Sequence, residues 1–336
     1  MMRVSRTGLW VVMALLPIVL GVAVLGFGRM QIAFSDVVGV LWSRVSGNGV
    51  SWPSVYEVVI FKIRIPRVLM ALLLGGGLAV AGASLQGMFA NPLVSSDILG
   101  VSAGAGFGAA LGIIWWGTGL PTQMMALLGG LLAIFLVALL VGRGTRSIFV
   151  LVLAGVIVSA LFQALISLMK FIADPEDKLP TITYWLMGSL SSVSYRDLQI
   201  ALPLMGLSIG ILWLLRWRIN LLSLPEDELR SLGISVGLLK GLIIVSSTLI
   251  VATSVAVAGI IGWVGLVIPH MARMLVGANN QQVIPMSLLL GSSYLLVIDT
   301  LARSMSAVEM PISILTALIG APVFALLLKR SQGAWR

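Results

Sequence analysis

Cysteine is absent from the 336 residues, histidine occurs once, at His270, and charged residues make up only 10% of the chain. Without cysteine there can be no disulfide, thiol nucleophile or thiolate-held metal. One histidine cannot build a histidine-rich metal centre. No G-x-x-x-x-G-K-S/T phosphate loop is present, and the Gly75-Gly76-Gly77 run lies inside an apolar stretch, where it serves helix packing. Neither a His/Asp/Ser set nor paired carboxylates occupy a plausible site. The sequence therefore offers no catalytic residue and no metal ligand.

What it does contain is apolar surface. Hydrophobic residues reach 59%, with 37 glycines and a mean hydropathy of +1.10. An ordinary soluble domain is about 45–50% apolar and about 25% charged, so this composition excludes a soluble fold, a disordered chain and a coiled coil. The chain reads as an all-α polytopic membrane protein. Its formal net charge of +9 would suggest nucleic acid in a soluble protein; here it points to basic cytoplasmic loops.

Charge-free intervals locate the spans, because a charge at mid-bilayer costs several kcal/mol. They are 7–28, 68–96, 98–142, 147–169, 198–215, 241–272, 274–298 and 310–328. The interval 98–142 is long enough for two helices of about 20 residues. Trp115-Trp116-Gly117-Thr118-Gly119-Leu120-Pro121 supplies interfacial aromatics and a turn between them. The interval 241–272 carries Gly259, Gly262, Gly265 and Pro269, which predicts one helix ending near Ala258 and a second, irregular one after it. Hydropathy alone leaves nine or ten spans. Arg3 and Arg6 before the first span, and Lys329, Arg330 and Arg336 after the last, place both ends in the cytoplasm and select ten. The first apolar stretch exceeds the roughly 7–15 residues of a signal-peptide core and stays as a span. No appended soluble domain is expected.

Small residues recur at every fourth position in two neighbouring spans: Gly75, Ala79, Ala83 and Gly87, then Gly100, Gly104, Gly108 and Gly112. In lipid such ridges let backbones approach closely. They serve bundle packing or line a pathway, and in either case the two helices are expected to pack together. Asp299 and Arg303 sit four apart at the end of the ninth span and can pair. Elsewhere the spans offer only residues such as Gln86, Ser159, Gln163 and Thr253. Ion-coupled carriers usually need an intramembrane acid or histidine, so any uphill transport draws its energy from elsewhere.

Outside the membrane the best-specified element is Leu222–Gly233. Ser223 with Glu226 matches a capping box, and Pro225 suits a first turn. Glu226, Asp227 and Glu228 suit the positive end of the helix dipole, Glu226 can pair with Arg230, and Gly233 can end the helix. It is either a capped connector or a docking helix for a cytoplasmic partner.

A series of blocks in order along the chain carries a resemblance. They are Arg64-Ile65-Pro66-Arg67, Gly82-Ala83-Ser84-Leu85-Gln86-Gly87, Asn91-Pro92-Leu93, Leu99-Gly100-Val101-Ser102, Leu153-Ala154-Gly155-Val156 and Tyr184-Trp185-Leu186-Met187-Gly188-Ser189. Ser231-Leu232-Gly233, Gly259 to His270, Asp299-Thr300-Leu301-Ala302-Arg303, Glu309-Met310-Pro311 and Gly320-Ala321-Pro322 complete it. Together they resemble the permease family of type II ABC importers for iron-siderophore complexes, haem and cobalamin. Departures fall at Ala90, Val94-Ser95-Ser96-Asp97, Trp263 and Asn279-Asn280-Gln281.

The resemblance implies a single transmembrane permease domain over 1–336 with the type II ABC importer permease fold, in a prokaryotic cytoplasmic (inner) membrane. It implies pairing with a second copy, two ATP-binding cassette subunits and a periplasmic or lipid-anchored binding protein, with surrounding membrane lipid and no nucleic acid. ATP and magnesium belong to the ATPase, and this chain binds no cofactor. The ATPase would dock on Leu224, Pro225, Glu226, Asp227, Glu228, Leu229, Arg230, Ser231, Leu232 and Gly233. Arg64, Arg67 and Arg303 match the outer positions that receive the binding protein, whose acidic groups an exposed basic patch would steer. Read alone, Arg64 and Arg67 could be snorkelling at the interface. The fifth span would line the pathway, with Thr145, Ser147 and Phe149 at an inner gate and Ser159 and Gln163 along it. The function implied is import of a metal chelate by alternating access. A secondary transporter or channel working without an ATPase is the alternative, and a membrane scaffold is a third reading.

Overall fold

The computed structural model describes residues 6–46, 52–142, 148–306 and 308–331, and among them there is helix but no strand. In chain order the helices are α1 (Arg6–Ala23), α2 (Phe34–Ser46), α3 (Ser54–Glu57), α4 (Ile65–Met88), α5 (Val101–Trp116), α6 (Leu120–Val141), α7 (Ile148–Ile172), α8 (Lys178–Leu186), α9 (Tyr195–Leu221), α10 (Glu226–Ser231), α11 (Val236–Ala258), α12 (Val264–Val276), α13 (Asn280–Ser304) and α14 (Ile312–Ser331). A π-helical segment, Val58–Arg64, joins α3 to α4. Among the described residues six helices are long and apolar enough to cross a bilayer, and four shorter apolar ones accompany them. These correspond to the ten expected spans. The helices α2, α8 and α10 sit between them, and α3 with the π-helical segment forms the start of the span that continues as α4.

The long interval 98–142 folds as the expected helical hairpin. Gly117 and Gly119 take positive φ at its turn, and the Thr122 hydroxyl donates to the Gly117 carbonyl at 2.5 Å. α11 ends at Ala258 as expected. Beyond it Gly259 (φ 71°) and Trp263 (φ 70°) bracket a short non-helical stretch before α12. With 13 residues, α12 rises only about 20 Å, so this stretch completes the crossing. Non-helical backbone at membrane depth survives only when protein covers it. Here the chain runs between the Trp185–Gly188 segment and α14: the Ser189 N–H donates to the Ala258 carbonyl at 2.9 Å, and a Cβ on Gly320 would lie 2.9 Å from that of Trp263.

α4 is the central helix. Leu74, Leu78 and Leu85 are buried among Ile250 of α11, Leu295 of α13 and Ile268 of α12. The small-residue ridges allow this packing, but each meets a different partner from the one expected. A Cβ on Gly75 would lie 2.2 Å from the Gly291 carbonyl oxygen of α13, and one on Gly291 would meet the Ala79 side chain at 2.6 Å. Gly87 abuts Ile219 of α9, and Ala83 is fully buried. In α5, a Cβ on Gly104 would lie 2.4 Å from the Gly129 carbonyl oxygen, one on Gly108 2.0 Å from that of Met125, and one on Gly112 2.7 Å from Thr122 Cα, all on α6. The α4 ridge thus packs on α13 and the α5 ridge on α6, rather than on each other. The physical reason is the irregular segment between Met88 and Val101, which turns α5 away from α4. Gly100, at the end of that segment, meets Ser159 of α7.

Replacing Gly75 by Val forces α4 from α13. We expect loss of about 1–3 kcal/mol or more of stability, read as a lower thermal midpoint in detergent. Gly206→Ala, where a new Cβ meets nothing within 4 Å, should leave that midpoint at or above wild type.

Candidate functional site

Polar chemistry concentrates at two places, the end carrying Trp115 and Trp116 and the opposite end carrying α10, and the exposed face of α7 carries the expected pathway residues.

At the tryptophan end, Arg64, Arg67 and Arg303 converge, but each is buried. The Arg67 guanidinium grips two carboxylates. Its Nε and Nη2 donate to Asp299 at 2.9–3.0 Å, and Nη1 and Nη2 donate to Glu309 at 3.0 and 2.9 Å. The Asp299 side chain is 0% exposed and that of Glu309 20%. The expected Asp299–Arg303 pair exists at 3.9 Å, as the looser contact of the same carboxylate. Arg303 also donates to the Val24 carbonyl at 2.9 Å, and Arg64 donates to the carbonyls of Leu25 and Met30. Gly28 (φ 147°) passes so close to the Arg64 guanidinium that a Cβ would touch it at 3.0 Å.

The three arginines are therefore an internal clamp in this conformation rather than the exposed basic patch expected. The buried Asp299, the partly buried Glu309 and three backbone carbonyls hold them, while Arg303 Nε keeps only its 3.9 Å contact with Asp299. The clamp ties the chain after α1 to α4 and α13, and Glu309 ties in the segment before α14. That segment is held further by Tyr184 of α8, whose hydroxyl donates to the Glu309 carbonyl at 2.8 Å. Exposed cations at this end include Arg29, Lys62 and Arg196.

At the other end α10 is shorter than the predicted Leu222–Gly233 element. The capping box is not formed: Pro225 occupies the N-cap without a side-chain bond, and the Ser223 hydroxyl donates to the Asn220 carbonyl at 2.8 Å. Ser223 lies two residues before the N-cap, too early to cap α10. The Arg230–Glu226 pair is present at 3.0 Å, and Gly233 takes φ 75°. Leu229 is buried, and the Ile234 N–H donates to its carbonyl at 3.0 Å. One face of α10 is thus pinned to the bundle, while Asp227, Glu228, Ser231 and Leu232 stay exposed.

Behind α10 lies a polar network that the sequence did not announce. Asn220 donates to Asn279 Oδ1 at 2.8 Å and accepts from the Asn280 N–H at 2.8 Å, joining α9 to α13. Gln86 of α4 donates to the Val94 and Gly265 carbonyls at 2.9 and 3.3 Å and accepts from Arg273 of α12. The departures at Asn279-Asn280 therefore hold helices together. Ala90 takes a left-handed φ of 48° at the end of α4.

α7 exposes one long apolar face through Phe149, Leu153, Val156, Leu161, Leu168 and Phe171. Gln163 is exposed near the middle of that helix, and Ser159 is partly buried against Gly100. Thr145 and Ser147 lie outside the described residues.

The family profile described as the FecCD transport family matches residues 15–330. The chain is 44% identical over 318 residues to the molybdate import system permease protein MolB of Haemophilus influenzae, covering 94% of this chain and 93% of that one. It is 40% identical over 328 residues to a Helicobacter pylori protein named "probable iron chelatin transport system permease protein", covering 95% of this chain and 98% of that one. A solved inward-facing structure of a transporter described as metal-chelate type ABC superposes with a TM-score of 0.86 at 41% identity, covering 97% of this chain and 100% of that one.

Arg67→Met strands the buried Asp299 carboxylate. Removing one partner of a buried pair costs about 3–5 kcal/mol, so the variant should unfold at markedly lower temperature. Arg29→Met, at an exposed position, should not.

Proposed function

Because the chain belongs to the FecCD transport family, we propose that it is the membrane-spanning permease subunit of an ATP-driven importer that passes a metal chelate from a binding protein to the cytoplasm by alternating access. A permease of this kind is a conduit and not an enzyme; ATP and magnesium reside on a separate ATPase. Both termini and α10 face the cytoplasm, and the tryptophan end faces outward. The binding protein docks on that outer end, over the surface that Arg64, Arg67 and Arg303 hold in shape, with Arg29, Lys62 and Arg196 as the exposed charges that steer it. The ATPase docks on α10, whose acids and Leu232 are presented to solution while Leu229 anchors it.

One observation carries the assignment of the pathway: Gln163, exposed near the middle of α7. A primary amide facing hydrocarbon without a partner costs several kcal/mol, so this face meets a water-filled path or a second copy of the chain. Two copies placing α7 face to face would enclose a passage lined by apolar groups and a few amides and hydroxyls, with no site strong enough to trap a bulky cargo. A molybdate cargo is the second reading, favoured by the name of the Haemophilus influenzae relative.

Pull-down of the tagged chain from native membranes in mild detergent tests the assembly: an ATPase subunit near one per copy supports the reading, and a chain that comes down alone while moving solute in ATP-free liposomes overturns it. Replacing Glu226, Asp227 and Glu228 by Ala should reduce ATPase recovery; unchanged recovery and transport would remove α10 from the docking role. Because the protein has no cysteine, Gln163→Cys can be made directly. A charged, membrane-impermeant thiol reagent should label it in the assembled transporter. Leu214→Cys, on an exposed apolar face of α9, should resist; equal labelling of the two would defeat the α7 pathway.

A further inference from the structure

At the α10 end a cavity of ≈ 680 Å³ opens between the ends of α4, α9, α12 and α13. Its polar lining includes Asn91, Asn220, His270, Arg273 and Asn280, and no carboxylate lines it. Among the described residues Arg273 pairs with no acid. Its one hydrogen bond is to the neutral Gln86 side chain, which leaves the remaining guanidinium N–H groups without a described partner.

Two of the other groups offer donors. Asn91 Oδ1 accepts from the Leu93 N–H at 2.9 Å, which fixes the amide and leaves its NH2 to donate. His270 stands edge-on to Phe324 at 5.8 Å, with no described hydrogen bond to either ring nitrogen. Asn220 is engaged within the asparagine network through one N–H and its Oδ1. Asn280 Oδ1 is the one buried acceptor there without a partner.

A partly buried cation, surplus donors and no counter-charge define a site for an anion, since a guanidinium away from water is stabilised by a partner that takes two parallel N–H bonds. From this we propose that the Arg273 cavity binds an oxyanion of the phosphate class, with Arg273 as the charged fork and Asn91 and His270 as flanking donors. The cavity is larger than a free oxyanion. Its apolar walls, Pro92, Ile219 and Met274, leave room for the glycerol root of a phospholipid. The phosphate is therefore either free in solution or the headgroup of an anionic lipid. The site lies away from α7 and does not depend on what the chain carries.

The test uses the full-length chain purified from membranes. In nanodiscs of phosphatidylcholine it is titrated with inorganic phosphate by calorimetry. In detergent, native mass spectrometry compares retained phosphatidylglycerol with retained phosphatidylcholine. Saturable phosphate binding identifies a free oxyanion, and selective retention of phosphatidylglycerol identifies a headgroup; either supports the site. Arg273→Gln should weaken whichever is seen by about tenfold or more, and Arg273→Lys by less. Asn91→Asp keeps the acceptor for the Leu93 N–H, so the loop stays folded, and should abolish binding by placing a carboxylate in the cavity. The proposal is overturned if wild type binds neither probe, or if binding ignores both Arg273→Gln and Asn91→Asp. It is also overturned if neither probe binds and Arg273→Gln weakens only ATPase association, which would make the cavity a protein-docking pocket.

Discussion

Backbone-to-backbone approach is the contact on which the rest of this structure depends. In lipid, apolar side chains gain little by leaving one apolar neighbour for another, so helices associate through close van der Waals fit. Gly75 against Gly291, Gly82 against Gly265 and Gly104 against Gly129 bring carbonyls to where any side chain would collide. Those contacts seat α12 and α13 around α4 and pair α5 with α6. They also fix where the polar ends of the helices meet: the arginine clamp depends on α4 and α13 being this close, and the Gln86–Arg273 contact depends on α4 and α12.

With packing supplied by glycine, most of the charges sit at the two ends. At one end Arg67 neutralises Asp299 and Glu309 while Arg64 and Arg303 hold the chain that follows α1. At the other, α10 is anchored by Leu229 and held in register by the Arg230–Glu226 pair. Between them, among the described residues, the bundle offers hydroxyls, amides and one carboxylate, Asp97, which accepts from the Ser102 hydroxyl in the chain leading into α5. That distribution suits the proposed permease, whose helices a partner subunit would move.

Much of the fold was legible in the sequence, since charge-free intervals mark spans and glycine–proline punctuation marks the turn at Trp115–Pro121 and the break after Ala258. Which ridge meets which was not legible. A stripe of small residues declares that something comes close without saying what, and the irregular Phe89–Gly100 chain separates two helices that are adjacent in sequence. The arginine clamp was half legible: the i,i+4 relation of Asp299 and Arg303 is local, whereas Arg67 reaches partners 232 and 242 residues away. The capping motif at Ser223 failed because α10 starts at Glu226 with Pro225 at its N-cap, two residues beyond the serine. Asn220, Asn279 and Asn280 carry no signature as isolated asparagines; only the fold brings them together.

The central claim is that movement of cargo through this chain is driven by ATP hydrolysed on a partner. The most direct measurement is uptake of the binding protein's cargo into proteoliposomes containing this chain and its ATPase, with ATP inside or outside and with no ion gradient. The account predicts uptake only when ATP can reach the ATPase, and none with a hydrolysis-dead ATPase. Accumulation driven by a proton or sodium gradient in the absence of ATP would contradict it.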